Sequence, residues 1–296
     1  MKMKKTIKIG TRTSQLAMAQ TQLVIDQIKA INKEIAVEII PTKTLGDRIL
    51  DRPLLSFGGK GAFVSEFESA LLEGTIDLAV HSAKDMPMEL PNGLAIVGIL
   101  EREDPRDVLI TMKDKELPQR PIIGTSSLRR QLQISGLQEV ICKDLRGNIN
   151  TRLKKLEEGQ YDGIVLAVAG LKRLGLLEEK KFNYHYFDCD TMIPAGGQGI
   201  IAIEGRADDN DLQELFKKIT DHSAEICLET ERLVLKLLDA GCHEPIGVYS
   251  FIEGEDIYLS ILYGKGNPTQ RVQGKAKIAE RITLATSLVQ SLKNIG

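Results

Sequence analysis

The sequence contains no tryptophan, and aromatic residues make up only 4% of its 296 residues. A stacking platform for single-stranded nucleic acid needs aromatic faces, so that class is disfavoured. Excess charge is also missing: 39 Lys+Arg stand against 41 Asp+Glu, a formal net charge of -2. A general polyanion binder would be basic overall, so no nucleic-acid partner is expected. No stretch approaches the roughly 18 apolar residues of a membrane span. The basic start, Met1 to Lys5, runs into the alternating stretch Thr6-Ile-Lys-Ile-Gly10 and not into an apolar signal core. That pattern predicts a cytoplasmic protein without a membrane partner. The four cysteines, at 142, 189, 227 and 242, form no C-x-x-C pair. Zinc-ribbon and thioredoxin readings therefore fail, and free thiols in a reducing compartment are expected. No G-x-x-x-x-G-K-[ST] or G-x-G-x-x-G fingerprint is present, no internal repeat is visible, and no metal is indicated.

What is present is a regular alternation of short apolar runs and amphipathic stretches. The pattern predicts strands at Ile7-Ile9, 36–40, Leu78-Val80 and 94–100. Between them lie helices carrying Leu16, Ala19, Leu23, Val24, Ile28 and Ile31, with Thr13 or Ser14 as N-cap, and Phe63 to Leu72. This order argues for an α/β fold with a mostly parallel sheet. The punctuated stretch Glu101-Arg-Glu-Asp-Pro105 reads as a domain crossing. A second set follows: strands at Ile122-Ile123, Val140-Ile141 and Gly163 to Val168, with helices at 128–135, 149–156 and near 171–176. Pro194-Ala-Gly-Gly-Gln-Gly199 reads as a return crossing, with the strand after it rejoining the first sheet. From Asp221 the pattern changes to a helix, three strand-like runs and a final helix, a small α+β domain. The expected division is 1–100 with 196–219, then 101–195, then 220–296. Two α/β domains joined by two crossings imply a cleft, and in such folds ligands bind beyond the carboxyl ends of strands.

The residues after the strands carry chemistry. Between Arg120 and Lys155 there are eight Lys/Arg and two Asp/Glu, a local excess of six positive charges. Gly124-Thr-Ser-Ser-Leu-Arg-Arg130 puts three hydroxyls and two arginines at a helix start, where backbone N–H groups, helix dipole and guanidinium forks converge on an anion. An N-cap followed by surface arginines explains the same residues. Arg146-Gly-Asn-Ile-Asn-Thr-Arg152 and Gly10-Thr-Arg-Thr-Ser14 repeat the arrangement. Three such strand ends favour a ligand bearing several carboxylates or phosphates over solvated faces. His81-Ser-Ala-Lys-Asp-Met-Pro87 places one acid, Asp85, among these cations. A buried carboxylate there could stabilise a cationic transition state; a turn aspartate is the plainer reading. His81 reads as a packed core histidine. Residues 47–61 have the composition of a lid or of a surface loop. Cys242, in Asp239-Ala-Gly-Cys-His-Glu-Pro-Ile-Gly247, falls on a turn. A nucleophilic or covalently attaching thiol explains it; a metal pair with His243 lacks matching ligands nearby. A non-catalytic two-domain clamp for an anionic solute also accounts for the crossings and arginines, but not for the third domain or its loop cysteine.

His81-Ser-Ala-Lys-Asp85, Glu101-Arg-Glu-Asp-Pro-Arg-Asp107, Gly124 to Arg130, Leu145-Arg-Gly-Asn148, Leu166-Ala-Val-Ala-Gly-Leu-Lys-Arg-Leu-Gly175, Pro194 to Gly199 and Gly241-Cys-His-Glu-Pro-Ile-Gly247 occur in this order. Together they resemble the porphobilinogen deaminase (hydroxymethylbilane synthase) family, from about Gly10 to Gly264. The resemblance implies two α/β domains like type II periplasmic binding proteins, and a small C-terminal α+β domain. It implies a transferase that joins four porphobilinogen molecules head to tail, with loss of ammonia, into hydroxymethylbilane for haem and tetrapyrrole biosynthesis. It implies a dipyrromethane cofactor on Cys242 through a thioether, and Asp85 as the catalytic carboxylate. Ser82, Lys84, Asp85, Thr125, Ser126, Ser127, Arg129, Arg130, Arg146 and Gly147 are implied as cofactor-binding. Arg12, Ser14, Arg146, Arg152, Arg173 and Gln198 are implied for the substrate, with Lys60 in the lid. A monomer is expected. Ser56 and Ser65 stand where relatives often carry lysine, and His243-Glu244 replaces the pair common after the cysteine.

Overall fold

The computed structural model describes residues 6–42, 64–240, 244–265 and 269–294. They divide into two compact units, 1–102 with 200–228 and 103–199 with 229–296. No helix among the described residues is long and apolar enough to cross a membrane.

In the first unit β1 (Thr6–Arg12) lies between β2 (Ala36–Thr42) and β3 (Leu78–Ser82), parallel to both. Beyond β3 come β10 (Ile201–Arg206) and then β4 (Leu94–Ile99), giving the order β2-β1-β3-β10-β4. The return strand does rejoin this sheet, but it runs antiparallel to both neighbours. The sheet is therefore mostly parallel: β2, β1, β3 and β4 run one way and β10 alone runs against them. Helix α1 (Gln15–Ile31) begins where Ser14 Oγ accepts the Ala17 N–H, so the second of the two cap candidates is used. It buries Ala17, Gln20, Thr21, Val24 and Ile28, positions three or four apart, against the sheet. Ile7, Ile9, Leu78, Ile203 and Phe216 complete this core. Helix α2 (Ser65–Leu72) comes so near β1 that a Cβ at Gly10 would meet Ile76 Cδ1 at 2.6 Å and Phe67 Cδ1 at 2.9 Å. Only glycine fits there.

In the second unit the order is β7 (Ile141–Lys143), β6 (Ile122–Gly124), β8 (Gly163–Ala167), β5 (Asp107–Met112), β9 (Phe182–Tyr186). β6 is parallel to β7 and β8, and β5 is antiparallel to β8 and β9. The two five-stranded sheets thus repeat one plan, with an antiparallel strand inserted next to last. Each crossing segment leads into that inserted strand. Strand β5 is absent from the sequence reading because Val108, Leu109 and Ile110 are all buried, leaving no alternation to read. Helices α3 (Leu128–Leu137), α4 (Ile149–Glu157) and α5 (Val168–Arg173) follow the strands of this sheet. The short α6 (Asn210–Phe216) follows β10 in the first unit. Helix α7 (His222–Leu237) contains the division between the units, after Leu228. The chain ends in an antiparallel sheet β11-β12-β13 (Ile246–Glu253, Asp256–Tyr263, Gln270–Lys277) and helix α8 (Arg281–Asn294). Val234, Val248, Leu259, Ile261, Ala285 and Val289 form its core.

Candidate active site

In the first unit, the ends of β1 and β3 open onto one pocket. It is lined by Arg12, Ser14, Leu16, Ala17, Gln20, Val64, Val80, His81, Ser82 and Asp85. The strand-end residues Arg12 and Ser82, the cap Ser14 and the acid Asp85 are therefore brought together. Asp85 is the last residue of a 3-10 turn, Ala83–Asp85, that continues directly from β3. The turn is anchored on both sides of the acid. Ala83 N–H donates to Ile200 O at 3.0 Å, and buried Ala83 and Met86 pack with Ile99, Ile200 and Ala202. The carboxylate itself is exposed within the unit. Of the two readings of this motif, a buried carboxylate and a turn aspartate, the exposure matches the second. A short side chain on an anchored turn is a fixed charge at little entropic expense. Gln20, which the motifs did not single out, donates from Nε2 to Ser82 Oγ at 2.9 Å. Its signal was only its place on the buried face of α1. Lys84 lies on the same turn but does not line the pocket.

In the second unit the implied ligands separate into two groups. Thr125 and Ser126 follow β6, and Ser126 Oγ both donates to Leu145 O at 3.1 Å and accepts the Leu145 N–H at 3.0 Å. This pins the Gly124–Ser127 loop beside the 145–148 loop. Thr125 Oγ1 accepts the Ser127 N–H at 3.2 Å. Ser127 is the N-cap of α3 by position, with no side-chain capping bond. Gly147 has φ +111, and a Cβ there would meet Thr151 at 2.8 Å, so the loop turns only with glycine. Asn148 caps α4 by accepting from Thr151 N at 2.9 Å, and Arg152 Nε donates to Gly147 O at 2.7 Å. Arg146 and Arg152 thus flank one helix start.

The other group is buried. Arg129 and Arg130 were read as anion-binding arginines in the first turn of a helix. Here they are 3% and 7% exposed and converge on Asp107, itself wholly buried. Arg129 Nη1 donates to Asp107 Oδ2 at 2.7 Å and to Ile193 O at 2.8 Å. Arg130 donates to Asp107 Oδ1 through Nε at 3.0 Å and Nη2 at 2.7 Å, and to Val165 O through Nη1 at 3.0 Å. Gln198, 1% exposed, adds Nε2 to the same oxygen at 3.0 Å and to Pro105 O at 2.7 Å. Burial by itself would raise the Asp107 carboxyl. The two guanidinium charges and their hydrogen bonds outweigh it and hold the group far below the usual carboxylate range. The motifs missed Asp107; its signal was an acid opening an unbroken apolar run. Arg173 donates from Nη2 to Gly199 O at 2.6 Å, and burial pushes it down to about 10, which leaves it charged at neutral pH. Glu231, also missed, is wholly buried and accepts from Gly197 N at 2.7 Å and Ser250 N at 2.8 Å, so it fastens the 194–199 segment to β11. Cys242, His243, Ser56 and Lys60 lie outside the described residues.

Residues 7–214 match the family model described as "Porphobilinogen deaminase, dipyromethane cofactor binding domain", and residues 225–294 match "Porphobilinogen deaminase, C-terminal domain". A curated relative, "Porphobilinogen deaminase" of Alkaliphilus metalliredigens, is 43% identical over 298 aligned positions, covering 99% of this chain and 93% of the relative. Among solved structures, the Bordetella pertussis BvgS periplasmic VFT2 domain aligns at 14% identity and TM-score 0.45, covering 77% of this chain and 93% of that one. A substrate binding protein of an amino acid ABC transporter aligns at 13% identity and TM-score 0.39, covering 78% and 98%.

Proposed function

The chain belongs to the porphobilinogen deaminase family, and on that premise we propose that Asp85 carries its chemistry and Cys242 its cofactor. The enzyme is a transferase that polymerises porphobilinogen, with loss of ammonia, into the linear tetrapyrrole hydroxymethylbilane. Its cofactor is dipyrromethane. A pyrrole bearing acidic side chains needs cations and hydroxyls for its carboxylates and an anion for its N–H. The first-unit pocket offers Arg12, Ser14, Ser82 and Asp85, and so fits such a group. Bound, dipyrromethane supplies the pyrrole end onto which units are joined.

The observation that carries the reading is Asp85, a carboxylate on an anchored turn in a pocket with Arg12. Departure of ammonia from porphobilinogen leaves a methylene-pyrrolenine cation. Asp85 accepts its N–H and offsets its charge, an electrostatic role that needs a fixed anion. Arg12 and Ser14, with Arg146, Arg152 and Arg173, bind and orient the substrate carboxylates. Ser82, Lys84, Thr125, Ser126, Ser127, Arg146 and Gly147 hold the cofactor, and Lys60 belongs to the lid. Arg129 and Arg130 go with the cofactor and Gln198 with the substrate, although all three donate to Asp107. The domain division at 1–100 with 196–219, 101–195 and 220–296 goes with this reading, as does a monomer that takes no nucleic acid. Cys142, Cys189 and Cys227 are free thiols, in keeping with a reducing cytoplasm.

The test is the intact mass of the denatured protein beside Cys242→Ala. An excess of two linked pyrrole units in the parent, absent from the variant, is expected. A parent that stays unmodified after incubation with porphobilinogen would overturn the assignment of Cys242.

A further inference from the structure

Glu204 lies on β10, wholly buried in the first sheet. Its Oε2 stands 3.0 Å from His81 Nε2, while Oε1 has no hydrogen-bond partner among the described residues. A buried carboxylate needs a hydrogen-bond donor to meet it, and His81 Nε2 is the group within reach. The two face each other by register: His81 is opposite Ala202, and Glu204 is opposite Ala79, on the same face of the β3–β10 ladder. The imidazole is held from the other side by Phe67, edge-on at 5.8 Å between ring centroids. Glu68 on α2 feels both groups; burial first, then Glu204, raise its carboxyl, and His81 lowers it. Though 93% of its surface is covered, His81 also lines the Asp85 pocket.

An imidazole at a reaction pocket, oriented by a buried carboxylate, is the arrangement of a base and its orienter. The reaction needs one. At each coupling a C–C bond forms between the methylene carbon of the incoming unit and the free α-carbon of the chain-end pyrrole. The C–H bond at that α-carbon then breaks, its electron pair returns to the ring, and the proton must be accepted. Asp85 is already engaged at the pyrrole N–H of the same cation, so a second group in the pocket is needed to take the C–H proton.

We propose that His81, held by Glu204, accepts this proton. Nε2–H donates to Glu204 Oε2, and Nδ1 is the basic nitrogen. On protonation the imidazolium is paired with Glu204, and the proton passes to solvent before the next cycle. The charged groups that meet the ring or share its pocket are Glu204 on β10, Glu68 on α2, Asp85 on the turn and Arg12 at the end of β1. The proposal rests on the Asp85 pocket being where coupling occurs.

The holoenzyme and its His81→Gln and Glu204→Gln variants test it, with Asp85→Ala as control. The variants should retain the cofactor by intact mass, keep KM within about threefold, and lose about 100-fold in kcat. Porphobilinogen deuterated at its free α-carbon should show a primary kinetic isotope effect in the variants larger than in the parent. In the parent's 15N-histidine spectrum, identified by its loss in His81→Gln, Nδ1 should be bare and Nε2 protonated. Turnover within twofold of the parent, a loss without the isotope effect, or the opposite tautomer each overturns the proposal. Should His81→Gln not fold, the isosteric Glu204→Gln decides by the same measurements. If Asp85→Ala also turns over normally, the pocket assignment itself fails; if only the His81 and Glu204 variants do, the dyad alone fails.

Discussion

Arg130 grips one oxygen of Asp107 with two donors, Nε at 3.0 Å and Nη2 at 2.7 Å, while Arg129 takes the other oxygen. Among the described residues, neither guanidinium has a second carboxylate within ion-pair distance. Removing the acid therefore leaves two buried cations facing each other. Breaking a buried pair from one side costs about 3–5 kcal/mol. Asp107→Ala is expected to lose that much in urea unfolding, and a loss under 1 kcal/mol would show that water reaches the site. Asp107→Asn should lose less, since its amide oxygen still accepts while the charge is gone.

The same contacts set a pH dependence. Asp107 has its carboxyl depressed in the folded state, after the arginine charges overcome burial. Its contribution is thus complete above the unfolded carboxyl value, about 3.9, and is lost as pH falls toward the folded value. The gap in unfolding free energy between the parent and Asp107→Asn should stay level from about pH 8 to 5 and narrow below about pH 4. Other carboxylates largely cancel in this difference. A gap that closes already near neutrality would mean Asp107 is not ionised in the way described.

The strand ends were legible because hydroxyl-plus-arginine clusters follow short apolar runs, and Arg12, Ser14 and Asp85 do meet in one pocket. Arg129 and Arg130 were legible as functional residues but not as buried ones. Their partner opens β5, whose apolar run carries no alternation, and it lies 22 residues from Arg129 in sequence. The inserted position of β10 between β3 and β4 is a matter of long-range pairing that no local period encodes. His81 was read as a packed histidine. Its burial agrees, but Glu204, 123 residues away, gives it a charge partner that the local sequence conceals.

Asp85 allows a graded test. If its fixed anion steadies a developing cation, Asp85→Ala should lower kcat about 10³-fold, the upper range for removing one electrostatic stabiliser. Asp85→Glu keeps the charge and displaces it by one methylene, so it should be milder. Single-turnover and steady-state rates on cofactor-loaded protein separate the two. Near-normal turnover in Asp85→Ala would remove the role assigned to it.

Arg152 and Gly147 give the sharpest check on carboxylate binding, because charge and shape can be altered apart. Arg152 Nε already donates to Gly147 O, which fixes the plane of the guanidinium at the start of α4. Arg152→Lys keeps the cation but loses the fork and its backbone anchor. A single lost charge-assisted contact corresponds to about tenfold in affinity. KM for porphobilinogen should therefore rise about tenfold while kcat stays within about twofold, the pattern of a binding contact made equally in ground and transition states. Gly147→Ala leaves every charge in place but forces a Cβ into Thr151 at φ +111. It should cost about 1–3 kcal/mol of stability through backbone strain, and it should raise KM because Arg146 and the carbonyl that holds Arg152 shift with it. Arg152→Lys with unchanged KM, together with a Gly147→Ala variant of raised KM, would assign carboxylate binding at this helix start to Arg146 and to the loop conformation and not to Arg152.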